Sequence, residues 1–333
     1  MESNDDKFLL TFPPLQDELL SSWIVRLSNG HGALLHTFCR LLWPGQSIWT
    51  RDIDTHPPSN VIDILAYKTG TSIDKIIETT MLSYESKLFE KVINSNNHWI
   101  LAQGTYHRVR HRKALQFCPE CLEEDDSPYF RKHWRLGWNT ICLKHSRPLR
   151  SDCSFCGEKI MVHKLLWESG KPYCPSCNQS LARSKHSTLN ISNELFELNK
   201  MFFSIIKNGS VRYFDEVISA VEFCYGLRIF TSALVRNNNL GRKLLKLGLK
   251  ELSLDPHWAN DDSYKFGIFE LVDLNDRHLI MSVLAFFICM DKKDFTKLLR
   301  SHRIGSSVFL RTEYQSFPKW LNERMELINL NHS

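Results

Sequence analysis

The fold of this chain is decided by the stretch FCPECLEEDDSPYFRKHWRLGWNTICLKHSRPLRSDCSFCG, residues 117–157, together with CPSC, residues 174–177. These stretches contain four pairs of possible metal ligands, and two residues separate the members of each pair. Such spacing lets one tight turn direct both ligands at a single tetrahedral ion. The pairs are Cys118 and Cys121, Cys142 and His145, Cys153 and Cys156, and Cys174 and Cys177.

Two pairs complete one tetrahedral site, so the sequence predicts two structural Zn²⁺ ions. Sequential pairing joins the first two pairs and then the last two, with loops of 20 and 17 residues inside each site. A cross-braced arrangement would instead join the first pair to the third and the second to the fourth. Seven residues separate His145 from Cys153, which is longer than in the cross-braced RING pattern and favours sequential pairing. Both sites would then be full, leaving no open position for a catalytic water.

The composition is that of a globular protein, with 43% hydrophobic and 24% charged residues. The start, MESNDDKFLLTFPPL, carries acidic residues where a signal peptide would carry basic ones. The longest apolar run, residues 279–290, is too short to span a membrane. We therefore expect a cytoplasmic protein without a membrane segment, in which paired cysteines bind metal rather than form disulfides.

Helical periodicity dominates outside the cysteine pairs and predicts a mainly α-helical fold with small zinc-ribbon or zinc-finger modules. We predict three regions: an N-terminal helical domain with a helix-turn-helix-like unit over residues 1–103, a two-zinc region over 104–185, and a C-terminal helical domain over 186–333. Asp17 is the expected N-cap of the first helix, and Cys39, Cys224 and Cys289 are expected core residues. Near the C-terminus, LGRKLLKLGLK has a basic face, which we interpret as solvated: Lys243, Lys246 and Lys250.

The segment VIDILAYKTGTSIDKIIETTML predicts a helix, a glycine turn and a second helix over residues 72–80. Ala66, Gly70 and Ile76 occupy the positions that a helix-turn-helix needs for close packing and for the turn. Asp74 and Glu78 make the second helix acidic, which favours packing or protein docking over base readout.

Basic and aromatic residues alternate in GTYHRVRHRK and YFRKHWR, a pattern suited to phosphate contacts and base stacking. We predict contacts with a nucleic acid or a partner at Arg108, Arg110, Arg112, Lys113, Arg131, Lys132 and Arg135. Alternatively, the arginines only solvate the surface. Trp134 and Trp138 are expected to pack the zinc module.

The sequence contains no phosphate-binding loop, dinucleotide-binding motif, HExxH or GxSxG, so we predict that the chain is not an enzyme. Asp52 and Asp54 could in principle serve a metal-dependent nuclease, but a third carboxylate partner is not identifiable. We interpret both as helix caps or as members of a solvated loop.

Four blocks of this chain resemble the TniQ/TnsD family of transposon target-selection proteins. The resemblance covers roughly residues 12–160, and Trp23 and Arg26 match the family's opening helix. The four zinc-ligand positions from Cys118 to His145 match its most characteristic block. The blocks are PLQDELLSSWIVRLS, IWTRDID, LAYKTGTSIDKIIETTML, and FCPECL with YFRKHWRLGWNTICLKHSRPLRSDCSFCG.

The resemblance implies a bacterial protein without catalytic activity that links a target to the transposition machinery. Implied partners are a TnsC-type AAA+ ATPase, a Cascade-like CRISPR effector with its guide RNA, target DNA and a second copy of the chain. The alternative that the family offers is an autonomous DNA-binding protein that recognises a fixed attachment site.

Overall fold

A computed structural model describes residues 7–92, 97–103, 114–185, 189–261, 263–310 and 316–329 of the chain. Four predicted contact residues, Arg108, Arg110, Arg112 and Lys113, lie outside the described residues. The chain divides into two compact units, Met1–Glu85 with Lys91–Thr188, and Ser86–Glu90 with Leu189–Ser333. The predicted fold class is confirmed: the structure is mainly helical, with two small cysteine-rich groups that could bind zinc. The three-region division stays a prediction.

The first unit begins with helices α1, Leu20–Gly30, and α2, Leu35–Leu42. The apolar stripe of α1 is fully buried, as the periodicity predicts, with Trp23 and Leu27 at its centre. Asp17 is not the N-cap of α1, because the helix begins three residues later and its cap position is Leu19. Asp17 instead adopts a φ of 59° and turns its carboxylate towards His133.

The predicted glycine turn joins α3, Ser59–Thr69, to α4, Ile73–Ile77. Gly70 ends α3 with a φ of 69°, a left-handed conformation that favours glycine. The Ser72 hydroxyl caps α4, which has only five residues and is shorter than the sequence predicts. Ile76 is fully buried against the helices before it, whereas Asp74 and Glu78 are exposed.

The cysteine-rich part of this unit contains only short elements. Helix α5 covers Pro119–Glu124, with proline at its first position, where a missing N–H costs nothing. Two antiparallel hairpins follow: β1, Ile141–Cys142, with β2, Arg147–Pro148, and β3, Leu166–Glu168, with β4, Lys171–Tyr173. Ser169 and Gly170 form the second turn with positive φ values of 49° and 76°.

The second unit contains six α-helices and one hairpin among its described residues. The order is α6, Asn193–Asn208; β5, Ser210–Tyr213; β6, Glu216–Ser219; α7, Ala220–Leu234; α8, Asn239–Glu251; α9, Leu274–Cys289; α10, Lys292–Ser301; and α11, Lys319–Asn329.

The hairpin β5–β6 departs from the prediction, which gave helices alone for this half. Helix α9 is buried on nearly all sides and packs against α6, α7 and α8. In the part of the chain that the structure describes, no helix is both long and apolar enough to cross a membrane.

Two candidate metal centres and a buried ion cluster

The first candidate metal centre brings together the four predicted ligands Cys118, Cys121, Cys142 and His145. Cys118 precedes α5 and Cys121 lies within it, while Cys142 ends β1 and His145 lies in the turn before β2. His145 Nδ1 lies 3.3, 3.4 and 3.5 Å from the sulfurs of Cys118, Cys121 and Cys142. The sulfurs of Cys121 and Cys142 are 3.7 Å apart.

These distances fit a tetrahedral ion. Metal–sulfur bonds near 2.3 Å and metal–nitrogen bonds near 2.0 Å at tetrahedral angles give ligand separations of about 3.8 Å between sulfurs and about 3.5 Å between sulfur and nitrogen. The three thiols share their protons unequally: hydrogen bonds from Cys118 and Cys121 lower the pKa of Cys142, while the pKa values of Cys118 and Cys121 are raised. The group therefore has the geometry and the ligand types that zinc prefers.

Glu124 orients the histidine of this centre. The Nε2 atom of His145 lies 2.9 Å from a carboxylate oxygen of Glu124. Hydrogen bonds from Lys144 and His145 keep the pKa of Glu124 below its ordinary value, so the group stays a carboxylate that accepts the Nε2 proton. In this tautomer the Nδ1 lone pair points to the space between the three sulfurs, where a metal ion would bind. Fixing the tautomer in this way is the usual role of a carboxylate behind a metal-bound histidine.

The second candidate centre consists of Cys153, Cys156, Cys174 and Cys177. The Cys153 and Cys177 sulfurs are 3.6 Å apart, and so are those of Cys156 and Cys174. Cys156 is exposed and Cys177 half-buried, so this centre lies closer to solvent than the first.

Each pair of the second centre ends in a residue with positive φ, which closes a knuckle turn. Gly157, with a φ of 75°, donates its N–H to the Cys153 carbonyl at 2.8 Å. Asn178, with a φ of 54°, does the same to the Cys174 carbonyl at 2.9 Å. In both centres the ligand atoms lie within 4.8 Å of one another, and the pairs combine sequentially, as the loop lengths favour. Either group could hold a metal ion with all four positions filled by the protein.

A buried ion cluster connects the cysteine-rich part of the first unit to its N-terminal helices. The guanidinium of Arg135 is fully buried and contacts Asp52 at 2.5 Å and Asp54 at 3.1 Å. It also donates to the Leu101 carbonyl at 2.8 Å. Asp54 accepts hydrogen bonds from the backbone N–H and the hydroxyl of Ser21, at 2.8 and 2.9 Å, at the start of α1.

The two carboxylates of this cluster have different proton affinities. Burial raises the pKa of Asp54 to about 6, and the charge of Asp52 adds to this effect, while Arg135 partly opposes it. Burial also tends to raise the pKa of Asp52, but the charge and the hydrogen bonds of Arg135 outweigh this effect, so the pKa of Asp52 is lowered. Asp52 therefore carries the negative charge that balances Arg135.

The cluster corrects two expectations from the sequence. Asp52 and Asp54 are neither helix caps nor members of a solvated loop, because both contact the buried guanidinium of Arg135. Arg135 was expected to contact a nucleic acid or a partner, but its guanidinium is inaccessible and committed to the two carboxylates.

The other basic residues of YFRKHWR also bind within the first unit. Arg131 pairs with Asp125 at 2.8 Å and lies over the rings of Tyr129 and Trp134, at 4.3 and 4.7 Å. Lys132 is buried and donates to the Glu78 carbonyl and to Ser83 Oγ. These partners correct the expectation of an open contact surface at Arg131 and Lys132.

The tryptophans in and after this stretch pack as predicted, since Trp134 and Trp138 are fully buried.

Backbone hydrogen bonds also connect this stretch to the start of the first unit. The Leu19 N–H donates to the Phe130 carbonyl at 2.9 Å, and the Lys132 N–H donates to the Asp17 carbonyl at 2.8 Å. The alternating basic and aromatic pattern of YFRKHWR, residues 129–135, therefore lies at an internal contact between segments of the first unit rather than on a stacking surface.

Trp23 and Arg26, the two positions singled out on the first helix, fix the segment before it. The Trp23 indole donates to the Phe12 carbonyl at 2.6 Å. Arg26 donates to the Pro13 carbonyl at 2.6 Å and forms a bidentate pair with the buried Glu18, at 3.0 and 2.7 Å.

Sequence reasoning missed Glu124 and the partners of Arg135. Glu124 has a usable signal, because it lies three residues after Cys121 on one short helix. The Arg135 partners have none, because 81 and 83 residues separate the bonded side chains.

The family model described as TniQ matches residues 9–149, which include the first candidate metal centre and the ion cluster. A comparison with curated proteins gives no match.

Proposed function

We propose that this chain, a TniQ-family protein through residues 9–149, is a non-catalytic adaptor that selects targets for DNA transposition. A TniQ domain implies a role in transposon target selection, and proteins of this family are generally non-catalytic. The chain would link a target-bound complex, such as a Cascade-like effector with its guide RNA, to a TnsC-type AAA+ ATPase. Target DNA and a second copy of the chain are further proposed partners, and the proposed location is the bacterial cytoplasm.

The observation that carries this proposal is the way the family-matching region is built. Its candidate metal centre has four protein ligands, so a Zn²⁺ ion bound there would stabilise the fold without offering an open coordination position. The guanidinium of its buried ion cluster likewise pairs with carboxylates of the same unit. Both features favour a rigid binding module over a reactive site.

The exposed side chains of helices α3 and α4 suit contact with a protein better than sequence-specific contact with DNA bases. The exposed residues of α4 and of its C-cap include Asp74 and Glu78, which would repel DNA phosphates, against a single lysine, Lys75. Ile73 on α4 and Tyr67 on α3 are both 51% exposed, although they are large apolar side chains. An acidic rim with exposed apolar residues is suited to a protein interface. We therefore propose that this pair of helices contacts a protein of the transposition machinery.

The experiment is a co-purification of the full chain, with zinc present, against the TnsC-type ATPase and a Cascade-like effector. We expect a stable complex with at least one of them. Replacing Ile73 with serine should weaken this complex by about fivefold or more, the effect of losing one apolar interface contact of about 1 kcal/mol. Leu34→Ser is the matched control, because Leu34 is 80% exposed and belongs to the same unit.

The alternative function is autonomous recognition of a fixed DNA site. The same purified chain is therefore tested alone against random duplexes and duplexes from the transposon's insertion site, at several salt concentrations. A preference of roughly 10³-fold or more for one site, without any partner, would replace the adaptor by a site reader. Failure of both partners to bind, with both metal centres filled, would also contradict the adaptor.

A further inference from the structure

The C-terminal unit contains a recess that opens to solvent between helix α8 and the segment that follows it. Its enclosed volume is small, about 20 Å³, so a ligand would lie across the open mouth of the recess rather than inside it. Two kinds of side chain dominate the wall. The basic ones are Arg236, Arg242 and Lys246, and the aromatic ones are Trp258, Tyr264 and Phe266.

One carboxylate holds the aromatic side of the recess in place. The Trp258 indole N–H and the Tyr264 hydroxyl donate to the two oxygens of Asp276 on α9, at 2.8 and 2.9 Å. The two rings lie nearly parallel, with an interplanar angle of 19°. Phe266 meets both rings edge-on, at 4.9 and 5.2 Å between centroids. Because the rings are fixed before a ligand arrives, binding would cost little side-chain entropy.

The aromatic residues differ in their exposure. Trp258 is buried at 4% exposure, so it supports the wall from behind. Tyr264 and Phe266 are half-buried and line the recess, so they are the rings available to a ligand.

Hydrogen bonds tie the aromatic segment to the start of α8. The Asn237 side chain pairs with the backbone of Phe266 in both directions, at 2.6 and 2.9 Å. Arg242 donates to the Tyr264 carbonyl at 2.8 Å. The basic side of the recess and the aromatic side are therefore held at a fixed separation.

The described lining residues of the recess carry a net positive charge. Three of them are cationic and one, Asp261, is acidic. Arg242 and Lys246 are four residues apart on α8, so they share one helix face. Arg236 donates to the Leu310 carbonyl at 3.0 Å, which fixes its guanidinium near the same mouth.

We propose that this recess binds an unpaired nucleotide, with its phosphate against Arg236, Arg242 and Lys246 and its base against Tyr264 and Phe266. Arginine and lysine suit phosphate oxygens, and every base has a flat face that can stack on an aromatic ring. The ligand is a nucleoside phosphate, whether free or part of a single strand of DNA or RNA. The site belongs to the C-terminal unit alone and does not depend on the target-selection role.

The experiment measures binding of fluorescently labelled single-stranded DNA and RNA to the full chain by anisotropy, with zinc present. The recess variant is Arg242→Gln with Lys246→Gln. The control is Lys243→Gln with Lys250→Gln, which removes the same charge from exposed positions of α8 that do not line the recess. We expect the recess variant to weaken binding about tenfold or more and the control about threefold or less. The salt slope of the recess variant should fall by roughly 1.4, or 0.7 for each lost phosphate contact.

A second readout tests the stacked base. A strand with one 2-aminopurine should lose fluorescence on binding to the wild-type chain, and Phe266→Ala should reduce this loss. Competition with an unlabelled mononucleotide distinguishes a free nucleotide from a strand. If the mononucleotide displaces the labelled strand and binds as tightly as the strand does, the ligand is a free nucleotide. If it does not displace the strand, the ligand is a single strand.

Either ligand, free nucleotide or single strand, supports the proposed site, provided that the recess variant binds that ligand more weakly. Equal losses in the recess and control variants would overturn the proposal, because charge alone would then explain binding. Unquenched 2-aminopurine in the bound wild-type complex would also overturn it. Helical circular dichroism of each variant establishes that the chain remains folded.

Discussion

The two compact units of this chain differ in the size of their secondary-structure elements and in what must stabilise them. In the cysteine-rich part of the first unit, the longest helix has six residues and the strands have two or three. In the second unit, α6 and α9 each have 16 residues and pack against each other. Short helices are unstable alone and need tertiary support, which a small core rarely supplies without a metal or a disulfide. The first unit should therefore depend on metal, and the second should not.

The units also bury arginine differently. Arg135 in the first unit pairs with two carboxylates that are distant in sequence. Arg324 in the second unit is equally buried, but it donates to neutral oxygens: the Tyr213 hydroxyl at 2.8 Å and the Phe287 and Met290 carbonyls at 2.9 and 3.0 Å. Loss of Arg135 leaves buried charge, whereas loss of Arg324 leaves only buried dipoles.

The largest expected effect comes from removing a ligand of the first metal centre. Cys118→Ala should lose one of two bound metal ions and leave residues 114–150 unfolded, because binding of a structural zinc supplies on the order of 10 kcal/mol of folding free energy. Native mass spectrometry gives the metal content, and hydrogen exchange gives the protection of each unit. Two bound metals and unchanged protection in this variant would contradict the structural role of the centre.

Cys224→Ala in α7 is the matched control, because Cys224 is also fully buried but belongs to an apolar helix core. It should keep both metals and cost only about 1 kcal/mol, the value of one buried group of that size. A chelator should likewise remove protection from the first unit before it affects α6 and α9.

The second largest effect is expected from replacing the two buried arginines. Arg135→Met should destabilise the first unit by about 3–5 kcal/mol at neutral pH, because it leaves the Asp52 charge buried without its partner. Arg324→Met should cost the second unit less, about 1–3 kcal/mol, because neutral hydrogen-bond acceptors are cheaper to desolvate. Urea unfolding followed by unit-resolved hydrogen exchange measures both values. Equal losses would show that the charge of the partners is unimportant.

Much of this architecture could be predicted from local sequence. The ligand pairs, their sequential combination, the stripe of α1 and the glycine turn at Gly70 all depend on residues within about 30 positions of one another. Local spacing fixes them because turns and helices repeat at short range. The burial of Trp134 and Trp138 follows from the same reasoning.

The ion cluster could not be predicted because it depends on contacts between distant segments. Arg131, Lys132 and Arg135 alternate with aromatic residues in the way that nucleic-acid surfaces do, and nothing in the local pattern shows that Arg135 pairs with Asp52 and Asp54. A charged residue is buried when a partner from elsewhere in the chain neutralises it, and only the tertiary fold supplies that partner.

The third prediction concerns the carboxylate behind His145. Glu124→Gln should weaken metal binding at the first centre about tenfold, the lower end of the effect of removing such a partner, because Glu124 is 51% exposed. Glu123→Gln is the matched control, because Glu123 pairs with Lys171 on β4 rather than with His145. This substitution removes the same charge as Glu124→Gln. Competition with a zinc-sensitive dye measures the affinity. Equal weakening in both variants would mean that net charge, not orientation of the imidazole, sets the affinity.

The smallest effect is the pH dependence of Asp54. Its pKa of about 6 in the folded chain exceeds the unfolded value of about 3.9, so the folded state binds more protons between these pH values. The contribution of Asp54 to the free energy of unfolding is therefore largest in acid and is lost as the pH rises through 6. Asp52 has a lowered pKa and changes stability only below its ordinary range.

Asp54→Asn removes this titration while the metal ligands stay the same in both proteins. The stability of the wild type relative to the variant should fall by about 0.7 kcal/mol per pH unit near pH 6, half a proton at 1.4 kcal/mol per unit. Urea unfolding between pH 5.5 and 8 at saturating zinc measures the difference, and the metal contribution cancels between the two proteins. A difference that stays constant between pH 5.5 and 8 would instead show that Arg135 keeps Asp54 ionised throughout this range, so that its pKa in the folded chain is not raised.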